Sequence, residues 1–202
     1  MVSKKWIVVG VIVFFVVVIG LWAMGGYNSL VSLDQGTQAQ WAQVESSYQR
    51  RADLIPNLVE SVKGAAKFEH DTMVEVTEAR AKVGQVAPTA GTNPANDPEA
   101  LKKFQAAQDQ LSTALSRMMV VVEKYPDLKA TQNFRDLQSQ LEGTENRISV
   151  ERMRFNETAQ AFNTKRDSFP TVMIAGFFGS RFQHKAYFTA QAGAEKAPQV
   201  KF

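Results

Sequence analysis

The sequence has no cysteine and only two histidines among its 202 residues. A chain without cysteine has no disulfide, no thiolate metal ligand and no cysteine nucleophile. Residues 1–26 carry two basic groups and no acid, residues 27–164 carry 15 basic and 18 acidic groups, and residues 165–202 carry six basic and two acidic groups. Nucleic-acid binders favour a basic stripe on the folded domain. The basic groups here lie at the two ends of the chain, so we expect no nucleic-acid partner. This distribution of charge is better suited to contact with anionic lipid.

The usual signatures of an enzyme are also missing. No serine stands in a Gly-x-Ser-x-Gly elbow, and there is no glycine-rich phosphate loop. His70 lies between Glu69 and Asp71, but adjacent helical side chains point about 100° apart and do not converge on a metal. Lys67 and Arg181 stand three positions before the two histidines, so the Glu-x-x-His pattern of di-iron bundles is absent. We expect no enzyme activity, cofactor or metal; the alternative, an unrecognised acidic site, predicts a bound metal.

One long apolar run is present near the N-terminus. Trp6 to Met24 is 19 residues without a charge, and as a helix it spans about 28 Å, close to the hydrocarbon thickness of a bilayer. A cleaved signal peptide is the alternative, but its apolar region is shorter, at about 7–15 residues. We favour a retained transmembrane anchor. Lys4 and Lys5 precede the run, and no further basic residue appears before Arg50. The positive-inside rule therefore places residues 1–5 in the cytoplasm and the rest outside it.

The remaining chain is typical of four helices. Asp97 suits the N-cap of the third helix and Pro98 its first position, and Tyr125 and Pro126 end it. Its inward residues are spaced by three or four positions: Leu101, Phe104, Gln108, Leu111, Leu115, Met118 and Val122. In the fourth helix the apolar residues are seven apart, which predicts a narrow coiled-coil seam: Phe134, Leu141, Ile148, Phe155, Phe162 and Phe169.

The first two helices are expected over about residues 28–51 and 54–86. Asp53 and Pro56 favour a turn between them, and the alternative is one helix that continues through Pro56 with a kink. Residues 87–97 read as a loop. The predicted fold class is all-α, with a single N-terminal transmembrane helix followed by an antiparallel four-helix bundle. The predicted parts are a cytoplasmic stub and anchor (1–26), the bundle (27–169) and an apolar, basic tail (170–202).

The tail is expected near the membrane. An antiparallel bundle with an even number of helices returns the chain to its starting end, and residues 170–188 are apolar, aromatic and basic, as interfacial elements are. Two interpretations stay open: contact with the membrane surface, or packing on the bundle or another subunit. The residues expected to face membrane or subunit are Phe169, Phe177, Phe178, Arg181, Phe182, Lys185 and Phe188.

Polar residues flank the two predicted interruptions of the helices. They are Arg50, Arg51, Asp53 and Asn57 at the first, and Glu142, Glu145, Asn146 and Arg147 beside Gly143 at the second. Asn and Gly are both poor residues for a helix interior. One interpretation is a set of inter-helix ion pairs and caps. The other is an interaction network that fixes the register of a partner or a second subunit.

Several long strings resemble the LemA family. The most specific are Arg50-Arg51-Ala52-Asp53-Leu54-Ile55-Pro56-Asn57-Leu58-Val59 and Leu141-Glu142-Gly143-Thr144-Glu145-Asn146-Arg147-Ile148. The closing Ala197-Pro198-x-Val200-x-Phe202 is similar as well. The resemblance implies a bacterial membrane protein with an antiparallel helical bundle and no established enzymatic activity. Some family members are associated with magnetosome membranes, which implies membrane organisation.

Three hypotheses for function follow. The first is a non-enzymatic scaffold that self-assembles at the bacterial inner membrane and organises the bilayer or envelope proteins, with the lipid bilayer, further copies of the chain and an unidentified envelope protein as partners. The second is an envelope sensor or adaptor that presents a partner such as a membrane protease. The third is the unrecognised enzyme mentioned above.

Overall fold

The computed structural model describes residues 4–63, 70–86, 94–179 and 181–189. Its helices are α1 (Lys4–Lys63), α2 (His70–Val86), α3 (Pro98–Val122), α4 (Pro126–Lys129), α5 (Gln132–Asp167) and α6 (Thr171–Phe177), with a 3-10 turn at Pro94–Asn96. Over these residues there is no strand, so the all-α prediction is confirmed. The predicted loop at 87–97 lies outside the described residues as far as position 93.

The first part of α1 is covered by no other part of the described chain. Its apolar side chains are exposed from Trp6 (71%) to Trp22 (41%). In water this surface would carry a large hydrophobic penalty. By length and composition, α1 is the one described helix able to cross a membrane, as the apolar run predicts.

The predicted turn around Pro56 is wrong. Helix α1 continues through Pro56 and ends at Lys63, so the alternative of one continuous helix is correct here. Proline has no N–H, and the carbonyl four residues earlier therefore loses its helical partner. That carbonyl belongs to Ala52, and the Arg80 Nε of α2 donates to it at 3.0 Å. A side chain 28 positions away thus supplies the hydrogen bond that the local sequence lacks.

Burial on one face also keeps the helix continuous at this point. Ile55, Leu58 and Val62 are all buried, at 1%, 1% and 0% exposure, and a turn at Pro56 would take them off a common face. Asp53, expected as an N-cap, is exposed in mid-helix and accepts from the Gln49 side-chain amide at 2.7 Å. Helix α2 consequently begins at His70 instead of near Leu54 and ends at Val86, the predicted end.

The cap of α3 forms as predicted. Asp97 is the N-cap, with Oδ1 accepting from the N–H of Glu99 (2.9 Å) and of Ala100 (3.2 Å). The predicted inward residues of α3 are all buried, including Gln108. In α5 the predicted inward face extends from Phe134 to Phe162, with Leu141 only half-buried. Phe169 does not belong to it, because α5 ends at Asp167 and the Phe169 ring is 82% exposed.

The helices pack in two antiparallel pairs, α1 along α5 and α2 along α3. Contacts between α1 and α5 run in opposite order: Thr37 lies against Thr158, and Arg51 lies against Glu145. Three buried clusters follow one another along α1. The distal core includes Ile55, Val62, Val76, Leu111, Met118 and Phe134. The aromatic core includes Trp41, Tyr48, Phe104, Phe155 and Phe188. The membrane-proximal core is Leu30, Phe162, Ile174, Ala175 and Phe182.

Helices α2 and α3 contribute nothing to the membrane-proximal core. There, α6 and the residues that follow it pack against α1 and α5 in their place. The end of α5 therefore lies beside the point where α1 leaves its exposed apolar stretch, and α6 lies against that point.

Candidate functional site

The predicted polar network contains one buried centre, Arg51. Its side chain is 2% exposed, and its Nη1 donates to Glu145 Oε2 at 2.7 Å and to Ser112 Oγ at 2.9 Å. Its Nη2 donates to the amide oxygen of Gln108. Since Arg51, Ser112 and Glu145 belong to α1, α3 and α5 respectively, a single guanidinium joins three helices.

The two charged partners of this centre differ in their exposure to water. Arg51 Nε is buried and has no hydrogen-bond partner in the structure, whereas the Glu145 side chain is 54% exposed. The guanidinium carbon also lies 5.2 Å from the centre of the Tyr48 ring. Burial raises the pKa of the Tyr48 hydroxyl above its ordinary value, and the nearby Arg152 and Arg51 oppose this in part. Burying a charge beside a half-solvated partner carries a desolvation cost that the ion pair repays only in part.

The other predicted members of the network do not converge on this centre. Arg50, Asn57, Asn146 and Arg147 are exposed. Glu142 accepts from the Gln138 amide one turn away at 2.9 Å. Helix α5 continues through Gly143, so the predicted interruption there is wrong. The structure thus brings together Arg51 and Glu145 and adds Gln108 and Ser112. Gln108 was visible in the sequence as the one polar residue on an apolar face; Ser112 gave no signal.

A second candidate site lies at the membrane-proximal end. Phe177 is 85% exposed, Phe169 82% and Met173 66%. Between α6 and α1 lies an apolar groove of about 430 Å³ lined by Ala23, Met24, Tyr27, Met173, Ile174, Phe177 and Phe178. The exposed Arg181 guanidinium lies 5.6 Å from the Tyr27 ring centre. This surface joins the exposed apolar stretch of α1 without interruption.

The remaining tail residues turn inward. Phe182, Lys185 and Phe188 are buried, at 0%, 3% and 6% exposure. The structure thus divides the predicted tail: Phe169, Phe177, Phe178 and Arg181 are on the surface, while the C-terminal strap, residues 182–189, packs on the helices.

Side-chain amides hold the backbone of the C-terminal strap. Asn163 donates to the Lys185 carbonyl and accepts from the Lys185 N–H, both at 2.9 Å. Asn156 makes the same pair with Phe188, again at 2.9 Å each. Gln105 Nε2 donates to the Thr189 carbonyl at 2.7 Å. The sequence did contain a signal: Asn156 and Asn163 each follow a seam residue and are seven apart.

Lys185 is the buried cation of the strap. Its Nζ donates to Asp34 and, at 2.6 Å, to the side-chain oxygen of Asn96, and it lies 4.8 Å from the centre of the Phe162 ring. Asp34 is 151 positions away in the chain, so the pairing could not be read from the sequence. It ties the strap to α1 and to the 3-10 turn.

No metal centre is apparent in the part of the chain that the structure describes. It holds no group of three or more histidine, aspartate or glutamate side chains placed to bind an ion. The His70 side chain is 84% exposed, and its Nδ1 lies 3.9 Å from Asp71.

The exposed apolar helix and the helical domain define a membrane-associated, all-helical protein. It belongs to the LemA family, whose model matches residues 40–202. It is 26% identical to magnetosome protein MamQ of Magnetospirillum gryphiswaldense, over 79% of this chain and 65% of that protein. It is also 26% identical to magnetosome protein MamQ 1 of Paramagnetospirillum magneticum, over 80% of this chain and 64% of that protein.

A further relative is Protein LemA of Metamycoplasma hominis, 25% identical over 81% of this chain and 71% of that protein. The chain spans just under two thirds of the length of the two magnetosome relatives. None of these names carries an enzymatic activity.

Proposed function

We propose that this chain is a non-enzymatic scaffold of the bacterial inner membrane. It spans the membrane once through α1, with its N-terminus in the cytoplasm and an antiparallel four-helix bundle of α1, α2, α3 and α5 outside. It self-assembles and organises the membrane or envelope proteins. The magnetosome relatives, named for a membrane compartment, support a role at a membrane.

The observation that carries the proposal is the continuous apolar surface at the base of the helical domain. Phe169, Met173 and Phe177 are exposed beside the last apolar turn of α1. In a domain that stood clear of the bilayer, three such side chains would be costly to leave in water. Close apposition of the domain to the membrane surface accounts for them, and it suits a protein that acts on the membrane plane.

Topology is tested with single cysteines, since the chain has none of its own. Asp71→Cys, at a fully exposed side chain, should react with a membrane-impermeant maleimide in intact spheroplasts. Ser3→Cys should react only after the membrane is permeabilised. The reverse pattern would overturn the orientation.

Self-assembly is tested by the mass of the protein in nanodiscs of increasing size and by in-cell crosslinking. A scaffold should give species larger than one chain and altered membrane morphology on overexpression. A strict monomer with normal membranes would refute the scaffold.

The exposed members of the polar network favour a second candidate, the adaptor that presents an envelope partner such as a membrane protease. Arg50 and Arg147 are exposed and are free to meet another protein. Arg50→Glu or Arg147→Glu should remove a heterologous crosslink while leaving the circular dichroism unchanged. Loss of both signals together would mean that these residues are only structural.

A further inference from the structure

The groove between α1 and α6 is apolar and lies where the two helices come close together. Its lining is entirely apolar or aromatic, and its size lies within the usual range of ligand pockets. A Cβ added at Gly26 would lie 2.6 Å from Ile174 Cδ1. Gly26 therefore marks a close contact between α1 and Ile174 of α6, where an added side chain would force Ile174 to move.

The groove lies at the level where α1 leaves its exposed apolar stretch. Leu21 and Met24 are 65% and 62% exposed on that helix, and Phe177 is 85% exposed on the other wall. For a chain anchored through this helix, the groove opens at the boundary between hydrocarbon and headgroups.

A cation stands beside the groove. The Arg181 guanidinium lies 5.6 Å from the ring of Tyr27 and 5.8 Å from that of Phe182, and Tyr27 lines the groove. Among the described residues no carboxylate forms an ion pair with Arg181. The neighbouring cations are compensated, since Lys185 pairs with Asp34 and Arg166 pairs with Asp167.

We propose that this groove binds one phospholipid with an anionic headgroup. An acyl chain lies along the groove, and Arg181 donates to the headgroup phosphate. Guanidinium groups match phosphate oxygens with paired, charge-assisted hydrogen bonds. A basic residue near the membrane surface also favours a headgroup with net negative charge over a zwitterionic one, and aromatic residues on either side suit the headgroup level. The bound lipid would hold α6 against α1 at the membrane surface.

The inference rests on the membrane anchorage in the proposed function but not on self-assembly. A lipid suits the groove better than a second copy of the chain does, because the groove continues into membrane-exposed surface and its unpaired charge is positive. A second copy would have to supply a carboxylate to Arg181, and the lining of the groove itself holds none.

The test uses the full-length chain in phosphatidylcholine nanodiscs with a trace of photoreactive lipid. One probe is phosphatidylglycerol with a diazirine near the end of one acyl chain, and the other is phosphatidylcholine labelled in the same way. After irradiation, mass spectrometry maps the labelled residues. We expect labelling of residues 23–27 and 171–178, with phosphatidylglycerol preferred about fivefold, the effect of one basic residue near the membrane surface.

Three variants sharpen the test. Arg181→Gln should remove the preference between the two probes, and Ala23→Phe should lower the labelling of α6 by filling the groove. Arg50→Gln is the matched control, because it removes one exposed charge about 39 Å further along α1 than Met24, beyond the screening length in physiological salt. It should leave the preference unchanged.

Equal labelling by both probes in the wild-type chain, or an undiminished preference in Arg181→Gln, would overturn the inference. So would crosslinks from the groove to a second chain in place of lipid. Flotation of the protein with vesicles separates the two proposals: a chain that does not float refutes the anchorage, whereas one that floats without headgroup preference refutes only the lipid site.

Discussion

Removing Glu145 should destabilise the protein more than removing Arg51, although the two residues share one ion pair. Glu145→Ala leaves a guanidinium that is 2% exposed without a counter-ion. A buried charge stripped of its partner costs about 3 kcal/mol. Arg51→Met instead returns a half-exposed carboxylate and the partly exposed Ser112 hydroxyl to water. It leaves the buried amide oxygen of Gln108 without its donor, at a cost of about 1 kcal/mol.

The double variant should cost no more than Arg51→Met alone, which gives a coupling of about 3 kcal/mol between the two sites. The assay is thermal unfolding of the full-length chain in detergent, followed by near-ultraviolet circular dichroism. For a domain of this size, Glu145→Ala should lower Tm by about 10 °C and Arg51→Met by about 3 °C.

An exposed ion pair serves as the control. Arg117 Nη1 lies 2.6 Å from Glu75 Oε1, and the side chains are 63% and 42% exposed. Glu75→Ala should cost less than about 1 kcal/mol. If Arg51→Met proved more damaging than Glu145→Ala, the guanidinium would be a net source of stability and the reasoning would be refuted.

Three further predictions concern other contacts. Arg80→Met should cost about 1 kcal/mol in the wild-type chain but nearly nothing beside Pro56→Ala, whose restored N–H satisfies the Ala52 carbonyl; equal costs in urea unfolding would contradict that role. Since burial raises the pKa of Tyr48, the folded state keeps its proton longer than the unfolded state, so the contribution of Tyr48 to stability should be level below about pH 10 and fall above it; Tyr48→Phe should remove that part of the fall. Asn163→Ala should speed amide exchange in residues 185–188 and leave α2 unchanged; uniform exchange across the domain would argue against a locally held strap.

Local signals predicted the parts of the fold that depend on neighbouring residues. The α3 cap needs only Asp97 and the N–H groups that follow it, and the buried face of α5 needs only a repeat of seven. Both are properties of short segments, so sequence reasoning found them.

The predictions that the structure contradicts share a different cause. Asp53 and Pro56 have turn chemistry, but a donor on α2 and a continuous buried face outweigh it. Lys185 looks like a surface cation until Asp34 is brought beside it. In the predicted network, only the rotational position around the helix distinguishes the buried Arg51 from the exposed Arg50. That position was uncertain because the predicted first helix ended near residue 51, whereas α1 ends at Lys63. Long-range pairing decided each case.

The continuity of α1 has a mechanical consequence. One helix extends from the exposed apolar stretch to Lys63 without an intervening loop, so a domain anchored through that stretch has no joint at its base at which to swivel. From Gly26 to Lys63 the helix rises about 55 Å. A change in helix tilt of about 10°, such as a thicker or thinner bilayer imposes, would carry Lys63 sideways by about 10 Å.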